Sequence, residues 1–471
     1  MRKIQALIVF FIFAALASSC GGIYEQESGG NPLSDADGDS KIIRAAKDAY
    51  VFGFPLVYGE IMKTFMTNPL PGSSNKPVNV FSHASAPADD KFKNFPYPDR
   101  DMIYSFVWID VSKEPLLFEI PFSQQINSSF VIFNAWSDLI ASSRADFADV
   151  KRVFRFAVSG PGWAGTLPEG FKEIRSHTSS AFFVYGVKVS SSSGFYETLN
   201  KHRQSFKTSL LSSYGKIYIV QKMKYSYNDS LSKEPPLKQM QALPVSEFFN
   251  MLNSLMLSNP PFERDADTLD NTLDIGVAPG MRFDPEMFSD AVMNEIKYLP
   301  EQFFISDNIV KDGGQVWNKL PEFKNGSGYY ARAKAAFKNI SASIDPQALR
   351  FIAVSDAENA ELDAQANKYL LRFSKNNFPK AGVSWTAAVY DADGFLIKNP
   401  ANKYSLGYLN NLKKNKDGSV DIFIQKTSPG KSNESNWLAA NGVFKIVLKI
   451  SPSPSATPFD ETKLPEIMKR K

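Results

Sequence analysis

The chain of 471 residues contains a single cysteine, Cys20, and only three histidines. One cysteine can form no internal disulfide, so the stability of the chain must come from a hydrophobic core. His83, His177 and His202 show neither the HxH nor the HExxH spacing of a zinc site, so we expect no bound metal.

Features of nucleic-acid-binding proteins and of cofactor enzymes are also lacking. The formal net charge is only +4, which gives no reason to expect a nucleic-acid partner. No GxSxG nucleophile elbow is present. The one GxGxxG match, Gly160 to Gly165, is followed by Thr-Leu-Pro rather than by a helix that could bind a phosphate. We therefore expect no cofactor.

The N-terminus has the pattern of a lipoprotein signal peptide. Two basic residues precede an apolar run (residues 4–16) that is shorter than a membrane-spanning helix, and three small residues lead to Cys20. We predict that residues 1–19 are removed, that Cys20 is lipidated, and that residues 20–40 are a flexible tether. This predicts a protein of the cell envelope, anchored to the outer membrane or to the periplasmic face of a membrane. An ordinary secretory signal is the alternative, and it also leads out of the cytoplasm.

Short aromatic and β-branched segments, bounded by turn residues, predict two β-rich regions. The first region contains the segments 104–111, 116–122, 129–136, 153–160 and 181–189. The second region contains the segments 368–374, 383–391, 420–426 and 444–450. Their spacing is typical of antiparallel sandwiches or jelly rolls.

Helical periodicity occurs before and between these regions. Ser40 is a candidate N-cap of a leading helix, and further helices are predicted after Pro244, after Asp284 and from Tyr329 to Ile340. The predicted fold is mainly β with α: two antiparallel β-sandwich or jelly-roll-like domains joined by a helical segment. The predicted boundaries are 41–200 for the N-terminal β domain with its leading helix, 201–345 for the linking segment and 346–465 for the C-terminal β domain.

Polar residues with catalytic potential cluster before the first strand. Asp99 and Asp101 are two apart on an extended chain and so face the same side, where they could act as acid and base with Arg100 and Tyr104. The alternative is that the carboxylates neutralise Arg100 or neighbouring basic groups at the start of a strand. Tryptophan side chains are candidates for lining a ligand-binding cleft, and packing in the core is their alternative role. We select Trp108 and Trp385 as the ligand-binding candidates.

Several landmarks occur in the order of a known two-domain bacterial family. The stretches AYVFGFPLVYGEI, PDRDMIYSFVWIDVSKEPLLFEIP and GPGWAGTLPEGFKEIRSHT resemble the domain of unknown function numbered 1254. The stretches WTAAVYDADGFLIKNPANKYSLG, NKDGSVDIFIQ and NWLAANGVFKIVLKISP resemble its regular companion, numbered 1214. The likeness covers roughly residues 44–460. It implies two jelly-roll-like β domains with helices between them, and it implies no particular reaction.

This chain departs from the family mainly at polar positions. The motif Pro-Asn-x-Asp-Thr-x-Tyr before a tryptophan strand is matched by Pro98, Asp101, Tyr104 and Trp108. Asp99 stands where the family has Asn, and Met102 where it has Thr. Near the C-terminus, Lys449 and Ser451 replace the Arg and Tyr of an Arg-x-Tyr-x-Pro motif. The resemblance therefore supports the predicted fold, but it does not support a shared active site.

Three classes of function follow from these patterns. We favour an envelope protein that binds a small or carbohydrate-like ligand, held at the membrane through Cys20. The alternatives are a hydrolase or lyase that uses Asp101 and Tyr104, and a non-catalytic structural or assembly protein. An open pocket where both residues meet an aromatic wall would favour catalysis, and their burial without an opening would argue against it.

Overall fold

The computed structural model describes residues 36–69, 73–216, 227–308, 316–320, 328–338, 340, 344–379, 383–451 and 459–470. Cys20 and the predicted leader lie outside this part of the chain. The helices are α1 Ala36–Thr67, α2 Ser143–Asp146, α3 Phe195–Gln204, α4 Pro236–Ala242, α5 Val245–Met256, α6 Ala266–Leu273, α7 Asp290–Ile296, α8 Leu299–Asn308 and α9 Tyr329–Lys338. Of the helices in these ranges, none combines the length and the apolar character needed to cross a bilayer.

The strands form two groups of nine, one toward each end of the chain. The first group is β1 Ser82–His83, β2 Met102–Asp110, β3 Leu116–Pro121, β4 Ser128–Asn134, β5 Leu139–Ser142, β6 Val153–Ser159, β7 Lys172–Arg175, β8 Ser180–Lys188 and β9 Lys207–Leu210. The second group is β10 Trp317–Lys319, β11 Leu349–Ala353, β12 Lys368–Phe373, β13 Ser384–Asp391, β14 Ser405–Gly407, β15 Val420–Gln425, β16 Trp437–Ala439, β17 Phe444–Ser451 and β18 Glu466–Arg470.

The two groups have the same topology, strand for strand. The first builds sheets of order β1-β2-β8-β4-β5 and β7-β6-β3-β9, and the second builds β10-β11-β17-β13-β14 and β16-β15-β12-β18. Among the described strands, each group contains one parallel pair, and the two pairs occupy corresponding places: β6 with β7 and β15 with β16. The predicted fold class, mainly β with α and with two β-sandwich domains, is confirmed.

Strand β2 is buried on both faces, which explains its continuous run of apolar residues. Ile103 and Val107 point into the space between the two N-terminal sheets. Tyr104, Phe106 and Trp108 point to the opposite face and pack in the core beneath the helices. The outer face of this sheet is therefore an interface with the helical layer rather than a solvated surface.

Helix α1 is the centre of that helical layer. It packs against α4, α5, α6, α7 and α9. At Gly53 helix α5 approaches so closely that a Cβ atom would lie 2.3 Å from Leu252 Cδ2, so any larger residue at this position would force the Leu252 side chain to move. The helix begins at Ala36 rather than at Ser40, and the Asp39 carboxylate accepts a hydrogen bond from Ser289 Oγ at 3.3 Å. Residues 36–40, which the sequence placed in the tether, are thus helical.

The helix predicted after Asp284 is divided. Asp284 caps only a short 3₁₀ turn, Pro285–Met287, and Phe288 is extended with φ −117° and ψ 152°. The extended backbone lets the Phe288 ring stack on Phe283, with ring centroids 5.4 Å apart. Helix α7 then starts from its own cap, Ser289, whose hydroxyl accepts from Val292 N.

Residues 84–101 join the two sandwiches. This segment lies across the outer face of the five-stranded C-terminal sheet, where Ala88 and Tyr97 pack with Ile352, Tyr390 and Val447. The Tyr97 amide donates to Gly394 O at 2.8 Å, and the Tyr390 hydroxyl donates to Pro98 O at 2.8 Å. The segment that immediately precedes β2 therefore packs against the C-terminal domain, although β2 itself belongs to the N-terminal domain.

His83 lies inside the N-terminal sandwich. Its Nδ1 is 2.8 Å from Ser105 Oγ, and its ring stacks on Phe81. Burial, reinforced by the positive charges of Arg203 and Lys76, lowers the pKa of His83 from 6.5 to about 4. The folded protein therefore holds this imidazole neutral at pH values where the unfolded chain would protonate it.

We predict that His83 makes folding sensitive to acid. Because its folded pKa is the lower one, its contribution is fully present above pH 6.5 and is lost as the pH falls toward 4, with a maximum of about 3 kcal/mol in the free energy of unfolding. Urea unfolding between pH 7 and pH 4.5 should show a shallower pH dependence for His83→Asn than for the wild type. The exposed His177, changed to Asn, is the control and should keep the wild-type slope; equal slopes for all three proteins would contradict the prediction.

Candidate functional site

Asp99 and Asp101 meet two cations of the C-terminal domain at the domain interface. Asp99 Oδ2 is 2.7 Å from Arg350 Nη2 and 3.0 Å from Lys449 Nζ, and Asp101 Oδ1 is 2.8 Å from the same Lys449 nitrogen. Asp101 Oδ2 has no hydrogen-bond partner among the described residues. These carboxylates neutralise Arg350 and Lys449, not the adjacent Arg100.

Asp345 extends this ionic cluster. Its Oδ2 lies 3.4 Å from Lys449 Nζ and accepts a hydrogen bond from Ser451 Oγ at 2.9 Å. Burial alone would raise the pKa of Asp345, but the positive charges of Lys449 and Arg350 outweigh it and lower the pKa to about 2. The same balance operates at Asp99, where burial is opposed by Arg350 and Lys449 and the pKa is lowered. All three acids of the cluster have a cation within salt-bridge distance.

Among the described contacts, no hydrogen bond joins the other two candidates, Tyr104 and Arg100, to a carboxylate oxygen of Asp99 or Asp101. The Tyr104 hydroxyl accepts a hydrogen bond from the backbone amide of Asp99 at 2.8 Å. Arg100 points away and lies over the Tyr404 ring, 5.1 Å from its centroid. The exposed fractions of Asp99, Asp101 and Tyr104 are 5%, 1% and 0%. These residues therefore connect the domains, and a substrate has no access to them in this conformation.

Sequence reasoning did not select Arg350 and Lys449. One signal was present, because Lys445 and Lys449 lie four residues apart in the otherwise apolar strand β17 and so share one face. Both lysines are buried. Two lysines on the same face of a buried strand indicate that acidic or other polar partners cover that face.

A pocket opens instead beside Trp108, between the outer face of the N-terminal sheet and helices α1 and α9. Its cavity volume is about 30 Å³, enough for one or two water-sized groups. We call it the Trp108 pocket. Its lining residues are Pro55, Tyr58, Gly59, Met62, Trp108, Phe133, Asn134, Ala135, Ser137, Phe182, Ala336 and Ile340.

The register of three strands explains the floor of the Trp108 pocket. Phe182 in β8 is paired with Trp108 in β2 on one side and with Phe133 in β4 on the other, so the three rings form one row across the sheet. The Trp108 and Phe182 rings stack with centroids 4.2 Å apart. The indole nitrogen of Trp108 is directed to Met66 Sδ at 3.4 Å.

Two lining residues have buried polar atoms without a partner. The hydroxyl of Tyr58 and the side-chain nitrogen Nδ2 of Asn134 make no hydrogen bond to any described residue. Burial raises the pKa of Tyr58 above its usual value, so the hydroxyl keeps its proton. Sequence reasoning missed both residues, because an unpaired state depends on tertiary packing and has no local sequence pattern.

Trp385, the second tryptophan candidate, has a different environment. It is 3% exposed and packs in the C-terminal core, with ring centroids 5.0 Å from Phe373 and 5.5 Å from Phe378. This is the packing role that was its alternative. Within the described ranges, no group of three or more His, Cys, Asp or Glu side chains is arranged to hold a metal ion.

Comparison with known families agrees with the two-sandwich architecture. Residues 78–209 match the family described as protein of unknown function (DUF1254), and residues 347–454 match that described as protein of unknown function (DUF1214). The chain belongs to the family that combines these two domains.

Two solved structures are similar to the chain over most of its length. The VPA0106 protein of Vibrio parahaemolyticus is 18% identical with a TM-score of 0.57, and the match covers 91% of this chain and 100% of that chain. A putative uncharacterized protein from Burkholderia cenocepacia is 11% identical with a TM-score of 0.39, and the match covers 92% and 95% of the two chains. No curated protein sequence matches the chain. At this identity the first structure supports the fold alone.

We predict that the ionic cluster stabilises the protein as a unit. Arg350→Met should lower the free energy of unfolding by about 3 kcal/mol, because Asp99 loses its closest cation while it stays buried. Asp99→Asn in addition should recover part of that loss, because the charge that Arg350 neutralised is removed as well. Urea unfolding of the two single variants and the double variant measures the coupling.

The control for the ionic cluster is an exposed ion pair. Glu197 and Lys201 are one helical turn apart with a 2.7 Å contact, and Glu197→Gln should change stability by less than about 0.5 kcal/mol. Strictly additive losses for Arg350→Met and Asp99→Asn would show that the two side chains do not stabilise each other.

Proposed function

We propose that this protein is a lipid-anchored envelope protein that binds a small, mainly apolar ligand, a terminal group of which enters the Trp108 pocket. The observation that carries the proposal is the row of Trp108, Phe182 and Phe133, which forms an aromatic floor in a pocket that is open rather than filled by side chains. Pockets with aromatic walls and few polar groups are the usual form of small-molecule sites.

The composition of the lining favours an apolar ligand over a carbohydrate. Few side-chain polar groups of the lining are available to a ligand, because the Tyr58 hydroxyl and Asn134 Nδ2 are fully buried and the Trp108 indole nitrogen is directed to Met66. A sugar carries a hydroxyl on most of its carbons, and each hydroxyl buried without a partner costs roughly 1–3 kcal/mol. An apolar molecule with one or two polar atoms matches this pocket better.

The burial of the acid–base candidates argues against the hydrolase or lyase alternative. Asp99 and Asp101 are held by Arg350 and Lys449, and Tyr104 is fully buried. General acid–base catalysis needs a side chain within hydrogen-bond reach of its substrate. The Trp108 pocket holds none of these residues, so its geometry supports binding.

The anchor belongs to the proposal because the leader ends at Cys20. Residues 20–35 separate this thiol from the start of α1 at Ala36. An extended chain spans at most about 3.5 Å per residue, so this segment can hold the folded body close to a membrane surface or tens of ångströms from it.

We predict that Gly59 controls access to the Trp108 pocket. A Cβ atom at Gly59 would meet only Ala135 O, at 3.8 Å, so Gly59→Ala fits and removes a helix-destabilising glycine. Gly59→Leu places a branched side chain in the pocket. Saturation-transfer NMR should detect the terminal methyl groups of 2-methylpentane and 2-pentanone, which are small enough to enter the pocket, on the wild type and on Gly59→Ala, and should detect neither probe on Gly59→Leu.

Gly59→Ala is the matched control, because it carries the same change of helix propensity without filling the pocket. We expect it to unfold at a slightly higher urea concentration, by about 0.5–1 kcal/mol in free energy. Transfer signals that survive in Gly59→Leu would place the probes elsewhere, and the absence of any signal from the wild type would contradict a small-molecule function for this pocket.

The anchor makes a separate prediction. Cells that express the full chain and are fed a radiolabelled fatty acid should incorporate label into the wild type, and the protein should sediment with membranes. Cys20→Ser should abolish both, because the only thiol has been removed. Label that persists in Cys20→Ser, or an unlabelled wild type in the cytosol, would contradict lipidation at this residue.

A further inference from the structure

We propose that the side of the helical layer around the start of α1 rests on the bilayer, where its exposed apolar side chains enter a zwitterionic lipid surface. We call this side the Met287 surface. Its apolar residues are Leu257, Leu273, Met281 and Met287. The inference rests on the lipid anchor of the proposed function and names the part of the folded body that contacts the membrane.

Exposed aliphatic side chains are concentrated on the Met287 surface. Among the described residues, the leucine and methionine side chains that are exposed are the four named above and Leu409. The exposed fraction is 69% for Leu257 and 73% for Met287. Single exposed apolar residues are common, but a group of them in one part of the molecule marks a surface that binds a protein or a membrane.

The end of α5 brings two of these side chains together. The backbone oxygen of Asn253 accepts a hydrogen bond from the Gly280 amide at 3.0 Å, and Asn253 Nδ2 donates to Met281 O at 3.0 Å. A Cβ atom at Gly280 would lie 3.2 Å from Leu257 Cδ2. Leu257 and Met281 therefore lie beside each other, although they are distant in the sequence.

The start of α1 lies next to the other two side chains. The Asp39 carboxylate accepts a hydrogen bond from Ser289 Oγ at 3.3 Å, and Met287 is two residues before this serine. On the other side, Lys41 Nζ is 3.4 Å from Asp274 Oδ2, and Asp274 directly follows the exposed leucine that ends α6. The chain therefore enters the folded body between two exposed apolar residues.

The anchor brings this part of the molecule to the lipid. Residues 20–35 join Cys20 to the start of α1 at Ala36, and at no more than about 3.5 Å per residue this link spans less than about 60 Å. Because the link enters the folded body within the Met287 surface, this surface has a higher effective concentration at the bilayer than any other. Apolar side chains that insert between lipid headgroups there lose their contact with water.

The charges around the Met287 surface favour zwitterionic over anionic lipid. Residues 270–290 carry one basic side chain, Arg282, and four exposed acidic side chains, which are Asp270, Asp274, Glu286 and Asp290. Lys41 and Arg44 of α1 are also exposed, so positive charge is not in excess. Attraction to anionic lipid needs a basic cluster. A leaflet of phosphatidylethanolamine, which carries no net charge, makes no such demand.

The test uses the single cysteine of the chain. Once Cys20 is acylated, the mature protein has no free thiol, so Met287→Cys introduces a unique site for a nitroxide spin label. The lipidated full-length protein is reconstituted in vesicles of phosphatidylethanolamine and phosphatidylcholine. We expect relaxation of the label by a water-soluble nickel complex to be lost, whereas relaxation by oxygen, which dissolves in the bilayer, should persist. Leu257→Cys should give the same result.

Leu409→Cys is the matched control. Leu409 is also an exposed leucine, but it belongs to the C-terminal domain, two residues after β14. Its label should stay fully accessible to the nickel complex in the same vesicles. Because all three side chains are exposed, the three variants should unfold at the urea concentration of the wild type.

Four outcomes would overturn the inference. If the acylated protein floats with the vesicles while nickel relaxes the label at residue 287 as strongly as at residue 409, the anchor holds but this surface does not touch lipid. If labels at residue 287 broaden one another's spectra, a second copy of the chain covers the surface. If protection requires added phosphatidylglycerol, the lipid recognised is anionic. If the wild type is neither acylated nor bound to vesicles, the proposed anchor fails, and the inference fails with it.

Discussion

The contact of Lys449 with Asp99 and Asp101 determines how the two sandwiches are joined. The three side chains are buried, and the lysine comes from a strand 348 residues after Asp101 in the chain. A buried charge without a counter-charge costs several kcal/mol, so any other docking that kept these groups buried but separated them would incur that penalty. A shift of β17 by one residue would turn Lys449 into the C-terminal core. The ion pair therefore selects both the docking and the register.

The same nine-stranded unit serves two purposes in this molecule. In the N-terminal sheet, equivalent positions of β2, β8 and β4 carry Trp108, Phe182 and Phe133, and helices cover this row. In the C-terminal sheet, the corresponding strands β11, β17 and β13 carry a polar row, and the segment before β2 covers it. That polar row is Arg350, Lys449 and Thr386. The apolar row leaves a pocket, whereas the charged row fastens the domains.

The segment of chain that runs from Asp99 to Trp108 connects these two rows. Asp99 and Asp101 lie immediately before β2, and Trp108 lies farther along the same strand. Because the carboxylates are held by the C-terminal sheet, the start of β2 is fixed from outside its own domain. The floor of the Trp108 pocket is thus supported by the domain interface, although none of the charged residues lines the pocket.

Much of the fold was predictable because buried strands keep their signature in the sequence. The segment 104–111 was selected for its aromatic and β-branched residues and corresponds to β2, Met102–Asp110. The short strands β7 and β9 were missed, because Lys172–Arg175 and Lys207–Leu210 are mostly polar and are defined by pairing with β6 and β3. Edge strands of this kind have no local apolar pattern to detect.

The candidate site was predictable only where its residues are neighbours in sequence. Asp99 and Asp101 could be singled out from their spacing, but Arg350 is 251 residues from Asp99, so the partners were invisible. Trp108 could be selected as an aromatic residue, although only the tertiary structure shows that its face is covered by α1 and α9 with space between them. The absence of a partner at Tyr58 and Asn134 is likewise a property of the packed molecule.

Buried polar groups in this protein are of two kinds, those with a partner in the protein and those without one. In the ionic cluster each of Asp99, Asp101 and Asp345 lies within 3.4 Å of the Lys449 ammonium nitrogen, so each carboxylate has an opposite charge beside it. In the Trp108 pocket the Tyr58 and Asn134 donors have no such partner in the described chain. Groups that the fold has already satisfied gain nothing from a ligand. The ion-paired carboxylates therefore give no reason to place ligand binding at the acidic cluster, and this is why the binding site that we propose is the Trp108 pocket.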